Sequence, residues 1–217
     1  MVTNPPLFCV WLDESHRMPV CIFDIDNTLT HGEDATNEVC CPDKHPKCLL
    51  DKDKYQPSWP ETGSGTSKSV LRTIHKCKQK GYDIAIATAE SGNESLNDKQ
   101  RDFIQQVVGE DLVDTPMYQN ACTAQGVHDI DCSTQNHLCC EHEYKDKTEM
   151  YRNIMKHQNI DQDSDDWKKS IVFDDDESNI QTAILMGFQT CQASPQCDGT
   201  YCDQGCGIMD YCLRTIQ

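Results

Sequence analysis

Val20-Cys21-Ile22-Phe23-Asp24-Ile25-Asp26-Asn27-Thr28 is the stretch that decides the fold. It opens as an apolar run with β-branched residues and closes on two acids and a threonine, the pattern of a short buried strand. Outward from it the same grammar repeats. Ser67 to Lys80 sets Val70, Leu71, Ile74 and Cys77 at helical spacing and stops at Gly81. Asp83-Ile84-Ala85-Ile86-Ala87-Thr88 reads as a second buried strand. Asn97 then caps a helix carrying Phe103, Ile104, Val107 and Val108, which ends near Gly109. Leu112 to Tyr118 is a weaker third strand, interrupted by Pro116. A helix from Lys147 to His157 shows Met150, Ile154 and Met155 on one side. Ser170 to Asp174 forms a fourth strand, a helix with Ile180, Ala183, Ile184 and Leu185 runs to Gly187, and Phe188 to Cys191 is a short fifth strand. Strands alternating with helices predict a three-layer α/β domain: a mainly parallel sheet with helices on both faces.

Three stretches break the rhythm. Residues 31–66, 120–146 and 194–217 are polar, turn-rich and cysteine-bearing, and read as two insertions and a tail on a single domain spanning 1–217. The acidic run Asp161 to Asp166 lacks the glycine and the closing glutamate of a calcium loop and reads as solvated.

Of 217 residues, 19 are basic and 36 acidic, a formal net charge of −17. That field repels phosphate backbones and anionic lipid, so it argues against nucleic-acid and membrane partners. No run of about 18 apolar residues is present to form a membrane-spanning helix. The 15 cysteines form an odd number, so at least one is unpaired within the chain. Cys21, Cys77 and Cys191 fall in predicted elements and read as small buried hydrophobes. The clusters in the insertions and tail have neither a CxxC…CxxC nor an HExxH spacing, which favours disulfides and an oxidising, extracellular-type compartment. The alternative is a cytoplasmic chain with zinc-bound cysteines; no signal peptide is visible at Met1 to Leu12.

Chemistry-bearing residues collect where a parallel sheet places its ligands, beyond the carboxyl ends of the strands. Asp24 and Asp26 follow the first strand, Thr88 ends the second, Asp174 and Asp175 follow the fourth, and Lys147 opens the helix before it. Two unit charges about 4 Å apart repel by roughly 4 kcal/mol at an effective dielectric of 20. Four gathered carboxylates therefore call for a bound cation, and an oxygen-only donor set favours Mg²⁺.

These residues resemble the four motifs of the haloacid dehalogenase (HAD) superfamily. Phe23 to Thr30 is similar to the first motif, a strand followed by Asp-x-Asp-x-Thr; Ile84 to Thr88 to the second; Lys147 to the third; and Ile171 to Asn179, with Asp-Asp-x-x-x-Asn, to the fourth. The resemblance implies a Rossmann-like sheet with the first strand central and a phosphatase-type member with small caps. It further implies Asp24 as nucleophile, Asp26 as general acid and base, Thr88 as donor to the phosphoryl group and Lys147 as charge neutraliser. Mg²⁺ would be held by Asp24, the Asp26 carbonyl and Asp175, with Asp174 and Asn179 as nearby ligand or support. Asp176 competes for a ligand role with Asp174 and Asp175, being one residue away.

An acid at Asp26 resembles the phosphatases and phosphomutases rather than the dehalogenases, and the small insertions favour hydrolysis over internal transfer. The expected reaction is Mg²⁺-dependent hydrolysis of a phosphomonoester on a small molecule or a phosphoprotein. Glu90, Ser91 and Asn93 stand near the expected phosphate as candidate substrate contacts. The competing reading is a disulfide-stabilised structural or binding protein, of an extracellular or viral assembly, built on the same body. Oligomeric state is left open by the sequence.

Overall fold

The computed structural model of the chain describes residues 17–30, 66, 68–89, 98–109, 112–120, 147–193, 196–197, 200–201, 207–208 and 210–217. Most of both insertions lies outside these residues, as do Glu90, Ser91 and Asn93.

Five strands form one parallel sheet: β1 (Val20–Phe23), β2 (Asp83–Thr88), β3 (Tyr118–Asn120), β4 (Ile171–Asp174) and β5 (Gln189–Gln192), in the order β3-β2-β1-β4-β5. The central strand is β1, with Phe23 opposite Ile86 of β2 and Phe173 of β4. Every residue of β1 is fully buried, which explains why its sequence is continuously apolar rather than alternating.

Helices α1 (Lys68–Gln79) and α2 (Asp98–Val108) carry the chain from β1 to β2 and from β2 to β3. Helices α3 (Thr148–His157), α4 (Asp165–Lys169) and α5 (Glu177–Leu185) carry it back across to β4 and on to β5. Strand order moves one way in the first half and the opposite way in the second. Right-handed crossovers therefore put α1 and α2 on one face and α3 to α5 on the other. On the second face Phe188 stacks on Trp167 with ring centroids 4.8 Å apart and meets Tyr151 edge-on at 5.7 Å.

Two sequence expectations need correcting here. Leu112 to Met117 is a series of turns, and the third strand begins only at Tyr118, because Pro116 cannot donate to a ladder and the strand sits at the sheet edge. The acidic run is not simply a solvated loop. Ser164 accepts a hydrogen bond from the Trp167 amide at 3.2 Å and starts α4, whose first turn holds Asp165 and Asp166. Carboxylates are favoured at that end by the helix dipole, and Trp167 anchors the helix in the core.

The cysteines of the body are also reassigned. Cys21 of β1 is disulfide-bonded to Cys77 of α1, and Cys191 of β5 to Cys212 in the 3₁₀ turn Asp210–Arg214. They are buried, as expected, but as cross-links rather than free thiols. The second bond brings the tail onto the sheet, on the face that Cys191 shares with Phe173 and Phe23. Beyond β5, Gln196–Cys197 and Thr200–Tyr201 pair as a short antiparallel hairpin.

Candidate active site

Parallel strands deliver their carboxyl ends to one edge, and β1, β2 and β4 deliver three of the candidate groups there. Asp24 follows Phe23 directly, and its amide donates to the Phe173 carbonyl at 3.0 Å, so the sheet ladder itself fixes the residue. Asp174 ends β4. Lys147 occupies the N-cap position of α3, whose face of Met150, Tyr151, Ile154 and Met155 is buried in the core. Anchoring that face directs the Lys147 side chain inward: it is 2 % exposed, although lysine is among the residues least often buried.

The Lys147 ammonium donates to Asp24 Oδ1 at 2.5 Å and to Asp174 Oδ2 at 2.7 Å. Asp174 Oδ1 accepts from Asn179 Nδ2 at 3.1 Å and from the Asp176 amide at 3.0 Å. Both oxygens of Asp174 are thus engaged by the protein, which suits a group that positions Lys147 and the following turn. Asp176 turns the other way. Its carboxylate caps α5, accepting from the amides of Ser178 at 2.6 Å and Asn179 at 3.2 Å. Capping holds the Asp176 carboxyl below its ordinary value, against the burial that would raise it.

Asp24, Asp174 and Asp175 bring one ligand oxygen each within 4.8 Å of one another. Burial pushes the Asp24 carboxyl well above the ordinary carboxylate range; Lys147 opposes that shift, and Asp174 and Asp175 add to it. Asp175 is pushed up to about 6, again by burial first and by Asp174 second. For Lys147, burial works to lower the ammonium, but the charges of Asp24 and Asp174 outweigh it and the group is raised, so it stays protonated. One cation thus faces three crowded carboxyls. The raised values of Asp24 and Asp175 mark a deficit of positive charge, and the donors are all oxygen. The residues fit a hard divalent cation.

The remaining candidates fall around this centre. Thr88 ends β2, is 1 % exposed, and lies next in register beyond the position facing Asp24. Asp26 is exposed, two residues after Asp24, where Asn27 turns the chain with φ at 53°. Asparagine is one of the few side chains that adopts this backbone readily. The Asn27 side chain also hydrogen-bonds Asp175, a contact that sequence reading missed although the turn propensity was visible. Gln192 was missed as well: its amide donates to the Asp175 carbonyl at 3.1 Å.

Neither a family model nor a curated protein matches the chain. Solved structures similar to it include a HAD family hydrolase from Deinococcus radiodurans R1 with bound phosphate and sodium, 12 % identical with a TM-score of 0.42 over 80 % of each chain. Another is a protein described as a HAD-like phosphatase from Mesorhizobium loti, 14 % identical with a TM-score of 0.42, over 82 % of this chain and 76 % of that one. The five-stranded parallel sheet with β1 at its centre is the arrangement that the sequence motifs imply.

Proposed function

We propose that the chain is a Mg²⁺-dependent phosphomonoester hydrolase that works through an aspartyl phosphate on Asp24. One observation carries this reading: the buried Lys147 ammonium shared between Asp24 and Asp174, at the carboxyl edge of a parallel sheet and beside Asp175. An oxygen of Asp24 bonds to phosphorus as the ester oxygen leaves with its electron pair, and Asp26, at the exposed rim, protonates that oxygen. Asp26 then takes a proton from water as the water oxygen attacks phosphorus and phosphate departs from Asp24. Lys147 neutralises charge on the nucleophile's side, and the Thr88 hydroxyl donates to a phosphoryl oxygen. Asp24, the Asp26 carbonyl and Asp175 would hold Mg²⁺, with Asp174 and Asn179 alongside. The ion, when bound, supplies positive charge against the carboxylates and the phosphate.

The substrate in this reading is a phosphorylated small molecule or phosphoprotein. The −17 charge argues against nucleic acid, and Glu90, Ser91 and Asn93 are the candidate specificity contacts. The Cys21–Cys77 and Cys191–Cys212 disulfides support an oxidising compartment, extracellular or equivalent. Counting free thiols with and without reductant, together with zinc analysis, tests that assignment.

Turnover of an aryl phosphate with and without Mg²⁺ is the direct experiment on function. Asp24→Asn is expected to lower kcat by about 10³-fold or more while leaving the fold intact. Full activity in that variant would overturn the reading. Absence of hydrolysis by the parent protein on any phosphoester would favour a disulfide-stapled binding protein.

A further inference from the structure

Resting on the hydrolase reading, we propose that the C-terminal segment around residues 207–216 is a positioning element of the catalytic site, acting through Gln192 and through the carbonyl of Thr28. The segment is fastened to the body at several points. Cys212 is bonded to Cys191 of β5, the Tyr211 hydroxyl donates to the Gln192 carbonyl, and the Lys76 ammonium of α1 donates to the Leu213 carbonyl. Ile208, Cys212 and Ile216 are buried. None of this is needed to complete the sheet, whose five strands are already paired.

Two of the attachments end on the site. The Ile208 amide donates to the Thr28 carbonyl at 3.1 Å, within the turn that carries Asp24 and Asp26. Gly207 lies so close to this turn that a Cβ there would sit 2.9 Å from the Thr30 carbonyl oxygen and 3.1 Å from that of Thr28. Its φ of +68° also favours glycine alone. On the other side, Gln192 is the link. The residue whose carbonyl receives Tyr211 extends its own amide to the Asp175 carbonyl, and the next amide, Ala193, donates to the Asp174 carbonyl at 2.8 Å. The backbone on both flanks of the three crowded carboxyls is therefore held by one segment.

The arrangement answers a physical need. Asp24, Asp174 and Asp175 repel one another; the ladder holds Asp24 and Asp174 at its last positions, and Asp175 lies one residue past it. Lys147 draws Asp24 and Asp174 together, and Asp175 is held through Gln192 and Asn27. A metal site needs its supports as much as its ligands, and losing one typically costs about 10–100-fold in affinity or activity.

The test uses three variants of the full-length protein and a control. Gln192→Leu removes the amide donor at similar size, Gly207→Ala forces the segment off the turn, and Cys191→Ala/Cys212→Ala releases its covalent tie. The control, Cys21→Ala/Cys77→Ala, removes a disulfide that does not reach the site. Each of the three is expected to lower kcat on an aryl phosphate about 10-fold or more, with KM within about twofold. Amide hydrogen exchange across Asp24–Thr30 and Asp174–Asn179 should rise in all three. The control is expected to lower the melting midpoint with kcat at 20 °C within about twofold of the parent. Parental kcat and parental exchange in both Gln192→Leu and Cys191→Ala/Cys212→Ala would overturn the proposal. So would losses in all four variants that simply track melting midpoint. Exchange is read without substrate, so a parent protein lacking phosphatase activity would sink the hydrolase reading while leaving the positioning claim to be decided.

Discussion

Phe23 and Asp24 are neighbours in the chain, as are Phe173 and Asp174, yet the two layers these pairs build are held by opposite physics. In the lower layer the Phe23 and Phe173 rings stack with centroids 4.6 Å apart and planes within 6°. Burying them is favourable by itself, and such a ring contact adds about 0.5–1.5 kcal/mol beyond the area removed from water. In the upper layer Asp24, Asp174 and Lys147 are buried almost as completely, and their removal from water costs free energy that a single cation only partly offsets. The comparison teaches where the chain's stability is made and where it is spent. The aromatic layer anchors the strand ends; the charged layer is carried by it and retained for its chemistry.

Removing the cation should break the charged layer outright. Lys147→Met keeps the length and apolar stem of the side chain but leaves Asp24, Asp174 and Asp175 facing one another. Loss of one partner from a buried ion pair costs about 3–5 kcal/mol, so urea unfolding in the presence of chelator should show a loss of that order. Excess Mg²⁺ should restore part of the stability and none of the turnover. A fully stable variant without metal would mean that the three carboxyls are not in fact crowded.

The aromatic layer should respond more modestly and without regard to metal. Phe173→Leu removes the stacked ring and leaves a partly filled space, a loss of about 1–3 kcal/mol. The loss should be the same with chelator or Mg²⁺, because no charge is involved. Dependence on Mg²⁺ in this variant would show that the two layers are not separable.

How much of this could be read beforehand follows from the same distinction. The strands β1, β2 and β4 were legible because full burial demands continuous apolar runs; Asp24, Thr88 and Asp174 stand at the ends of those runs, and Lys147 at the start of an amphipathic helix. The third strand was misplaced because Tyr118–Asn120 is a three-residue edge strand stabilised by its place in the sheet rather than by its composition. Helix α4 was hidden by its acids, which look solvated in sequence but serve the helix start. Disulfide partners have no local signature: nothing around Cys191 points to Cys212. Gln192 and Ile208 reach the site region through a side-chain amide and a backbone amide, contacts between distant parts of the chain that leave no local pattern.

The smallest effect, and the one that separates the layers most cleanly, is the pH dependence of the chelated protein. Asp24 and Asp175 are raised in the folded state, the latter to about 6 against an ordinary value of 3.8. An acid raised on folding binds its proton more tightly in the native state, so it destabilises the fold when ionised. That penalty is fully present above about pH 6 and is relieved as pH falls through 6 toward 4. Asp114, held down by its hydrogen bonds to Arg101, and Asp176, held down against burial by capping, have the opposite sign, but their windows lie below the ordinary carboxylate value. Between pH 7.5 and 5 the raised acids dominate. With about 2–4 °C per kcal/mol for a chain of this size, the melting midpoint in chelator should rise by a few degrees on going from pH 7.5 to 5. Phe173→Leu should shift that curve downward without changing its slope, Lys147→Met should steepen it, and Mg²⁺ should flatten it. A chelated parent protein that loses stability over this interval would show that the acids of the upper layer are not held in excess of their cation.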